Sequence, residues 1–131
     1  MRAALLAAVG ALVLGGCGGE SVIADGSYAA EPSDVSAQVL TAPLRLAWRG
    51  DEVEVETGCT RIVAQAEVDE VGDAATLRLA AVESTSTCNP PDSDPDVWVE
   101  AFLRTGPTVE RSEGGGFQLF DEEVSVSFHP E

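Results

Sequence analysis

The sequence predicts an α+β domain in which an antiparallel sheet carries one short helix. Several stretches alternate apolar and polar residues, which is the pattern of strands with one buried face. Helical spacing of apolar residues occurs between Asp94 and Gly106, after most of the alternating stretches have passed. Two cysteines, Cys59 and Cys88, each follow an alternating stretch and indicate where two strand ends meet.

The chain begins with the pattern of a bacterial lipoprotein signal. Arg2 precedes an apolar run from Ala3 to Val13, which is shorter than the about 18 residues that a membrane-spanning helix needs. Leu14-Gly15-Gly16-Cys17 follows, with small residues at the cleavage point and a thiol that accepts diacylglyceryl chains. We expect residues 1–16 to be a signal peptide, Cys17 to be lipidated, residues 17–25 to be a tether and residues 26–131 to be the folded domain. The alternative is an ordinary cleaved signal with a chance cysteine.

The charge of the chain excludes some partners. There is no lysine, and seven arginines face 23 acidic residues, which gives a net charge of −16. Such a chain repels phosphate backbones, so we expect no nucleic-acid binding. It also repels anionic lipid surfaces, so attachment to a membrane depends on more than one acyl chain at Cys17. We expect a protein of the cell envelope, anchored on the extracytoplasmic side.

Two alternating stretches separated by the turn Arg49-Gly50-Asp51 predict a half-buried hairpin. Its apolar residues are Leu44, Leu46 and Trp48 before the turn and Val53 and Val55 after it. Further strands are predicted from similar alternation at 35–39, 62–68 and 76–82, and we expect the first strand to begin at 26–29. A closing hairpin is predicted from Phe117 to Phe128, around an acidic turn at 121–123.

One helix is predicted after the second cysteine. Asp94 suits the N-cap and Pro95 the first helical position, and acidic residues at a helix start suit its dipole. Val97, Trp98, Ala101 and Phe102 then recur at helical spacing, and Gly106-Pro107 ends the helix. We expect Trp98 and Phe102, four residues apart, to be buried against the sheet.

Cys59 and Cys88 remain after Cys17 is modified, and the expected compartment is oxidising. Two strand ends can bring the Cα atoms to the about 5.5 Å that a disulfide needs. We therefore predict a permanent, buried, structural disulfide. Metal ligation and a redox pair are the alternatives, although the spacing lacks the C-x-x-C pattern that either would favour.

Other candidate chemistry is sparse. Asp92, Asp94 and Asp96 have the spacing of the start of a calcium loop, but Val97 and Leu103 occupy the positions of its glycine and bidentate glutamate. We interpret the three as helix capping and predict no metal and no cofactor. His129, near the chain end, is interpreted as a solvated residue. The polar run Ser84 to Thr87 has no acid–base partner that the sequence supplies.

From Leu44 onward the chain resembles the META domain family, which includes HslJ-like lipoproteins. The resemblance rests on three stretches: Leu44 to Trp48 with the acidic hairpin and Thr57-Gly58-Cys59; Leu77 to Val82 with Thr85-Ser86-Thr87-Cys88; and Asp96-Val97-Trp98 through Pro107 to Phe117-Gln118-Leu119. The chain departs from the family in having Thr60 where asparagine is usual and Thr87 where a bulkier residue is usual. The resemblance implies an antiparallel, barrel-like sheet with one helix packed on it, and it implies no enzyme activity.

The expected function is that of a lipid-anchored, non-catalytic envelope protein with a binding, stability or stress role. One alternative is a small secreted hydrolase with a serine and carboxylate site that the sequence does not locate. A weak calcium-binding surface module is a further alternative. The sequence names no protein or small-molecule partner.

Overall fold

The computed structural model describes residues 22–90 and 93–131. These residues form nine β-strands and one α-helix. The strands are β1 (Gly26–Ala30), β2 (Val35–Ser36), β3 (Leu44–Arg49), β4 (Glu52–Glu56), β5 (Thr60–Val71), β6 (Ala74–Ser86), β7 (Thr108–Arg111), β8 (Phe117–Phe120) and β9 (Ser125–Pro130). The helix, α1, spans Trp98–Arg104, and short 3₁₀ turns occupy Pro32–Asp34 and Glu113–Gly115.

Eight of the strands close into an antiparallel barrel. Their order is β1-β3-β4-β5-β6-β7-β8-β9, and β9 returns to β1 through the pairs Tyr28–Pro130 and Ala29–His129. β2 adds a short pairing to β9. Together with α1, this arrangement confirms the predicted α+β class and its antiparallel, barrel-like sheet.

The alternation in the strands fills the barrel with apolar side chains. β3 and β4 bury Leu44, Leu46, Trp48, Val53 and Val55, as the sequence predicts. On the neighbouring strands β1, β8 and β9, Tyr28 meets Phe117 edge-on with ring centroids 5.0 Å apart, and Phe117 stacks on Phe128 at 5.1 Å. Close packing of this kind leaves the outer surface as the place where the described domain meets other molecules.

The strands of the barrel are not equally well paired. β4 has five residue pairs with β3 and five with β5. β6 and β7 share a single pair, Thr76–Thr108, supported by a bond of 2.9 Å from the Leu77 N–H to the Pro107 carbonyl. α1 lies between these two strands in the chain and packs against β6. We call this weakly paired junction of β6 and β7, with α1, the helix seam.

The helix starts later than predicted, and of the two aromatic residues predicted to be buried only Phe102 is fully buried. Asp94 accepts the Asp96 N–H on its side chain at 2.8 Å and the Val97 N–H on its carbonyl at 3.1 Å. These bonds form a separate turn, so α1 begins at Trp98 rather than at Pro95. Its buried residues are Val99, Phe102 and Leu103. The prediction that Trp98 is buried is wrong, because this side chain is only half-buried beside the barrel.

Two strands differ from the sequence prediction. The stretch 35–39 pairs only at Val35 and Ser36, because Ala37 takes a left-handed conformation with φ of 71° that ends the strand. As a result Val39 is 73% exposed, while its neighbour Leu40 is buried. β7 has no alternating pattern that predicts it, since Val109 is its one buried residue.

The predicted signal peptide and Cys17 lie outside the described residues. Within the predicted 17–25 tether, Ile23 is 1% exposed and packs in the core. The Ala24 carbonyl accepts the Tyr28 hydroxyl. The packed domain therefore includes residues before Gly26. In the part of the chain that the structure describes, no helix has the length and hydropathy to cross a membrane.

Candidate functional site

The barrel end that holds Cys59 and Cys88 gathers most of the residues that the sequence singles out, and we call it the disulfide end. Cys59 lies in the turn between β4 and β5, and Cys88 follows β6. A disulfide joins them, with Cα atoms 5.6 Å apart and a χ3 of −89°. The predicted disulfide is thus present. Both cysteines are half-buried, so the prediction that the bridge is buried is wrong.

Asp94 sits directly beneath this turn and is 2% exposed. One carboxylate oxygen accepts the hydroxyls of Thr57 and Thr60, each at 2.7 Å. The other oxygen accepts the Asp96 N–H at 2.8 Å. Asp94 therefore fastens the segment before α1 to the β4–β5 turn that carries Cys59.

Asp96 makes a second such connection and is 1% exposed. Its two carboxylate oxygens accept the Thr41 N–H and the Thr41 hydroxyl, both at 2.9 Å. Its backbone carbonyl accepts the Val99 N–H at 3.1 Å. Asp96 thus connects the start of α1 to the loop that leads into β3. We call Asp94 and Asp96, with these three threonines, the aspartate bracket.

The bracket explains how two carboxylates remain inside the protein. Burial by itself raises the pKa of Asp94, because it penalises the charged form. The hydrogen bonds from Thr60, Thr57 and the Asp96 backbone outweigh this effect, so that the pKa lies below its ordinary value. Asp94 is therefore ionised at neutral pH, with its charge used in structural hydrogen bonds.

The calcium alternative rested on the same residues. Asp92 lies outside the described residues. Asp94 and Asp96 direct their carboxylates to threonines and backbone, and they act at the turn before α1 in place of the predicted N-cap. Within residues 22–90 and 93–131, no group of three or more His, Cys, Asp or Glu side chains is placed to hold a metal ion.

An apolar patch borders the bracket. The half-buried Trp98 donates its indole N–H to the Val39 carbonyl at 3.0 Å. Val39 and Val97 are 73% and 54% exposed, and they are two of the three large apolar residues most exposed in the described structure. Both lie next to Trp98, Val97 in the chain and Val39 through the hydrogen bond. This patch gives the disulfide end an exposed apolar surface.

The other candidate catalytic residues are dispersed. His129 lies in β9 with its side chain exposed, and its Nε2 is 3.1 Å from an oxygen of Asp34. Ser84 and Thr85 are exposed on β6. The Ser86 hydroxyl accepts the Cys88 N–H at 3.1 Å and lies 3.3 Å from the Thr60 hydroxyl. The structure therefore brings Ser86 to the bracket but does not bring His129 to it.

The threonines are the part of the site that sequence reasoning missed. Thr57 and Thr60 flank Gly58-Cys59, and the Thr60 N–H donates to Thr57 Oγ1 at 3.0 Å, which shapes that turn. Their partner Asp94 is more than thirty residues away in the chain. The signal in the sequence is that hydroxyl residues stand on both sides of this turn, since threonine can donate a side-chain hydrogen bond.

Comparison of the chain with protein-family models, with curated proteins and with solved structures found no match. The assignment of function below therefore depends on the sequence and on the geometry of the described domain.

Proposed function

We propose that the chain is a lipid-anchored, non-catalytic protein of the bacterial cell envelope with a META or HslJ-like domain. In this proposal Cys17 carries the acyl chains, and the domain acts by binding on its outer surface in a stability or stress role. The lipoprotein pattern at Leu14-Gly15-Gly16-Cys17 supports the location. The antiparallel barrel with one short helix is the fold that the resemblance implies.

The aspartate bracket is the observation that carries the non-catalytic part of the proposal. Asp94 accepts the hydroxyl of Thr60, which lies 3.3 Å from the Ser86 hydroxyl, so Asp94 is the natural base for the hydrolase alternative. Its two oxygens already accept three hydrogen bonds, and its lowered pKa makes it a weak proton acceptor. This arrangement favours a structural role for the polar groups at the disulfide end.

The location is tested by replacing Cys17 with alanine and fractionating the producing cells. We expect the wild-type chain in the membrane fraction and the Cys17→Ala chain outside it, with a change in gel mobility. A Cys59→Ala, Cys88→Ala chain serves as the control, because it loses cysteines but retains the lipoprotein pattern. Retention of Cys17→Ala in the membrane with unchanged mobility contradicts the proposal.

The envelope role is tested by deleting the gene and challenging the cells with detergent. We expect greater sensitivity than in the parent, with rescue by the wild-type chain and not by Cys17→Ala produced at equal level. Full rescue by the unanchored chain would show that the location is irrelevant to the role.

A further inference from the structure

One edge of β6 is open over most of its length. On one side β6 pairs with β5 from Val71–Ala74 to Thr60–Ser86, with a bulge at Ala81. On the other side β7 pairs with it only at Thr76. Among the described residues, no strand therefore pairs with positions 78–86 on the β7 side.

The backbone groups on this edge can be assigned. The Thr87 N–H donates to the Cys59 carbonyl at 2.7 Å, so Thr87 faces β5. Because backbone groups alternate along a strand, the N–H and C=O of Ser84 and Ser86 point away from β5. No described residue forms a backbone hydrogen bond with either of them on that side. Glu83, Ser84 and Thr85 are exposed, which leaves room for another chain.

Although α1 packs against β6, Glu83, Ser84 and Thr85 remain exposed, and the edge has few of the other features that normally block strand addition. Such edges are usually protected by lysine, proline, several charges or a covering element. From Val82 to Thr87 the sequence has no proline and one charged residue, Glu83. The bulge at Ala81 limits the regular edge to the stretch that follows it. An exposed edge of this type pairs with an extended peptide through main-chain hydrogen bonds.

We propose that the β6 edge from Val82 to Ser86 binds an extended, basic peptide segment of another envelope protein. The charge of the chain selects this occupant. A second copy also carries −16 and is repelled, whereas a basic segment is attracted to the 23 acidic residues. This inference rests on the proposed binding role, but not on lipidation of Cys17.

The test uses the full chain, purified in detergent, and a fluorescent ten-residue peptide of alternating valine and threonine with arginine at both ends. We expect the peptide to bind saturably. At low salt, replacing its terminal arginines with glutamate should weaken the affinity about tenfold, and at high salt the same replacement should have a smaller effect. In the bound peptide, alternate N–H groups should face β6, and methylation of these nitrogens should abolish binding. Methylation of the other nitrogens, whose N–H groups point away from β6, should leave binding unchanged.

The matched variants are Ser84→Pro and Ser84→Ala. Proline removes one outward N–H without removing a bond to β5, so it should abolish binding, whereas alanine should leave it intact. If Ser84→Pro fails to fold, the methylated peptides decide the question on the wild-type chain.

Equal binding by both methylated peptides, or none by the arginine peptide, overturns the proposal. So does a dimer of the wild-type chain that Ser84→Pro disrupts, which would make a second copy the occupant. Fractionation of Cys17→Ala is unaffected by these outcomes and tests the anchored location separately.

Discussion

The β3–β4–β5 wall and the helix seam hold the barrel together by different means. In the wall, five residue pairs join β4 to each neighbour, and the backbone ladder fixes both position and register. At the seam, β6 and β7 share one pair, and α1 packs against β6. Side-chain packing by α1 adds to this one pair, and the aspartate bracket fixes the segment before α1 to the β4–β5 turn and to the loop before β3. The seam should therefore be sensitive to single side chains in a way that the wall is not.

The largest effect should come from the apolar contact of α1. Phe102 is 5% exposed and packs with Val99 and Leu103 in the core. Replacing Phe102 with alanine removes buried area and leaves a cavity, so the free energy of unfolding in urea should fall by about 3–5 kcal/mol. A loss below about 1 kcal/mol would mean that α1 does not hold the seam.

Reduction of the disulfide should have the next largest effect. Cys59 and Cys88 are 29 residues apart in the chain. Opening this loop frees the unfolded chain and should lower the free energy of unfolding by roughly 3–4 kcal/mol on the chain-entropy model. The control is the Cys59→Ala, Cys88→Ala chain, which the reductant should not affect. Unchanged urea stability of the reduced wild-type chain would contradict a structural role for the bridge.

The bracket should give a smaller, pH-dependent effect. Asp94→Asn keeps the shape but loses hydrogen bonds to a charged acceptor, so we expect a loss of about 2–3 kcal/mol at pH 7. The folded pKa of Asp94 is lowered, so its stabilisation is present above the unfolded pKa and disappears as the pH falls through the folded pKa.

Stability of the wild-type chain should therefore decline more steeply in acid than that of Asp94→Asn. Asp69→Asn is the matched control, because Asp69 forms an exposed ion pair with Arg78 and should contribute at most about 1 kcal/mol. Parallel acid profiles for the wild type and Asp94→Asn would count against the bracket.

Trp98→Ala should have the smallest effect, in contrast to the expectation from the sequence. The ring is half-buried and its one hydrogen bond goes to the Val39 carbonyl. We expect a loss of about 1–2 kcal/mol in the same urea measurement. A loss of unfolding free energy equal to that of Phe102→Ala would mean that Trp98 stabilises the seam as much as Phe102 does.

The wall could be predicted from the sequence, and most of the seam could not. Alternation of apolar residues in β3 and β4 reports burial directly, since each strand has a single buried face. β7 is four residues long with Val109 as its one buried side chain, so it leaves no periodic signal. The sequence predicts the helix but not its first residue, because Asp94 forms a turn that local preferences do not reveal.

Contacts between residues far apart in the chain limit how much of the candidate site can be predicted from the sequence. Cys59 and Cys88, which the structure joins, could be paired by elimination because Cys17 belongs to the predicted lipoprotein pattern. The bonds from Thr41 to Asp96 span 55 residues, and nothing in local sequence indicates such a pair. The sequence likewise does not predict the open edge of β6, because this edge results from the pairing of β7 with β6 at Thr76 alone.

Native-state hydrogen exchange in Asp94→Asn shows whether the aspartate bracket holds the helix seam. The Leu77 N–H, bonded to the Pro107 carbonyl, reports on the seam, and the amides of the β4 ladder report on the wall. We predict that exchange of the Leu77 N–H accelerates at least about tenfold more than exchange of the β4 amides, because the seam opens locally. Equal acceleration at both places, or none at Leu77, would show that the bracket does not hold the seam.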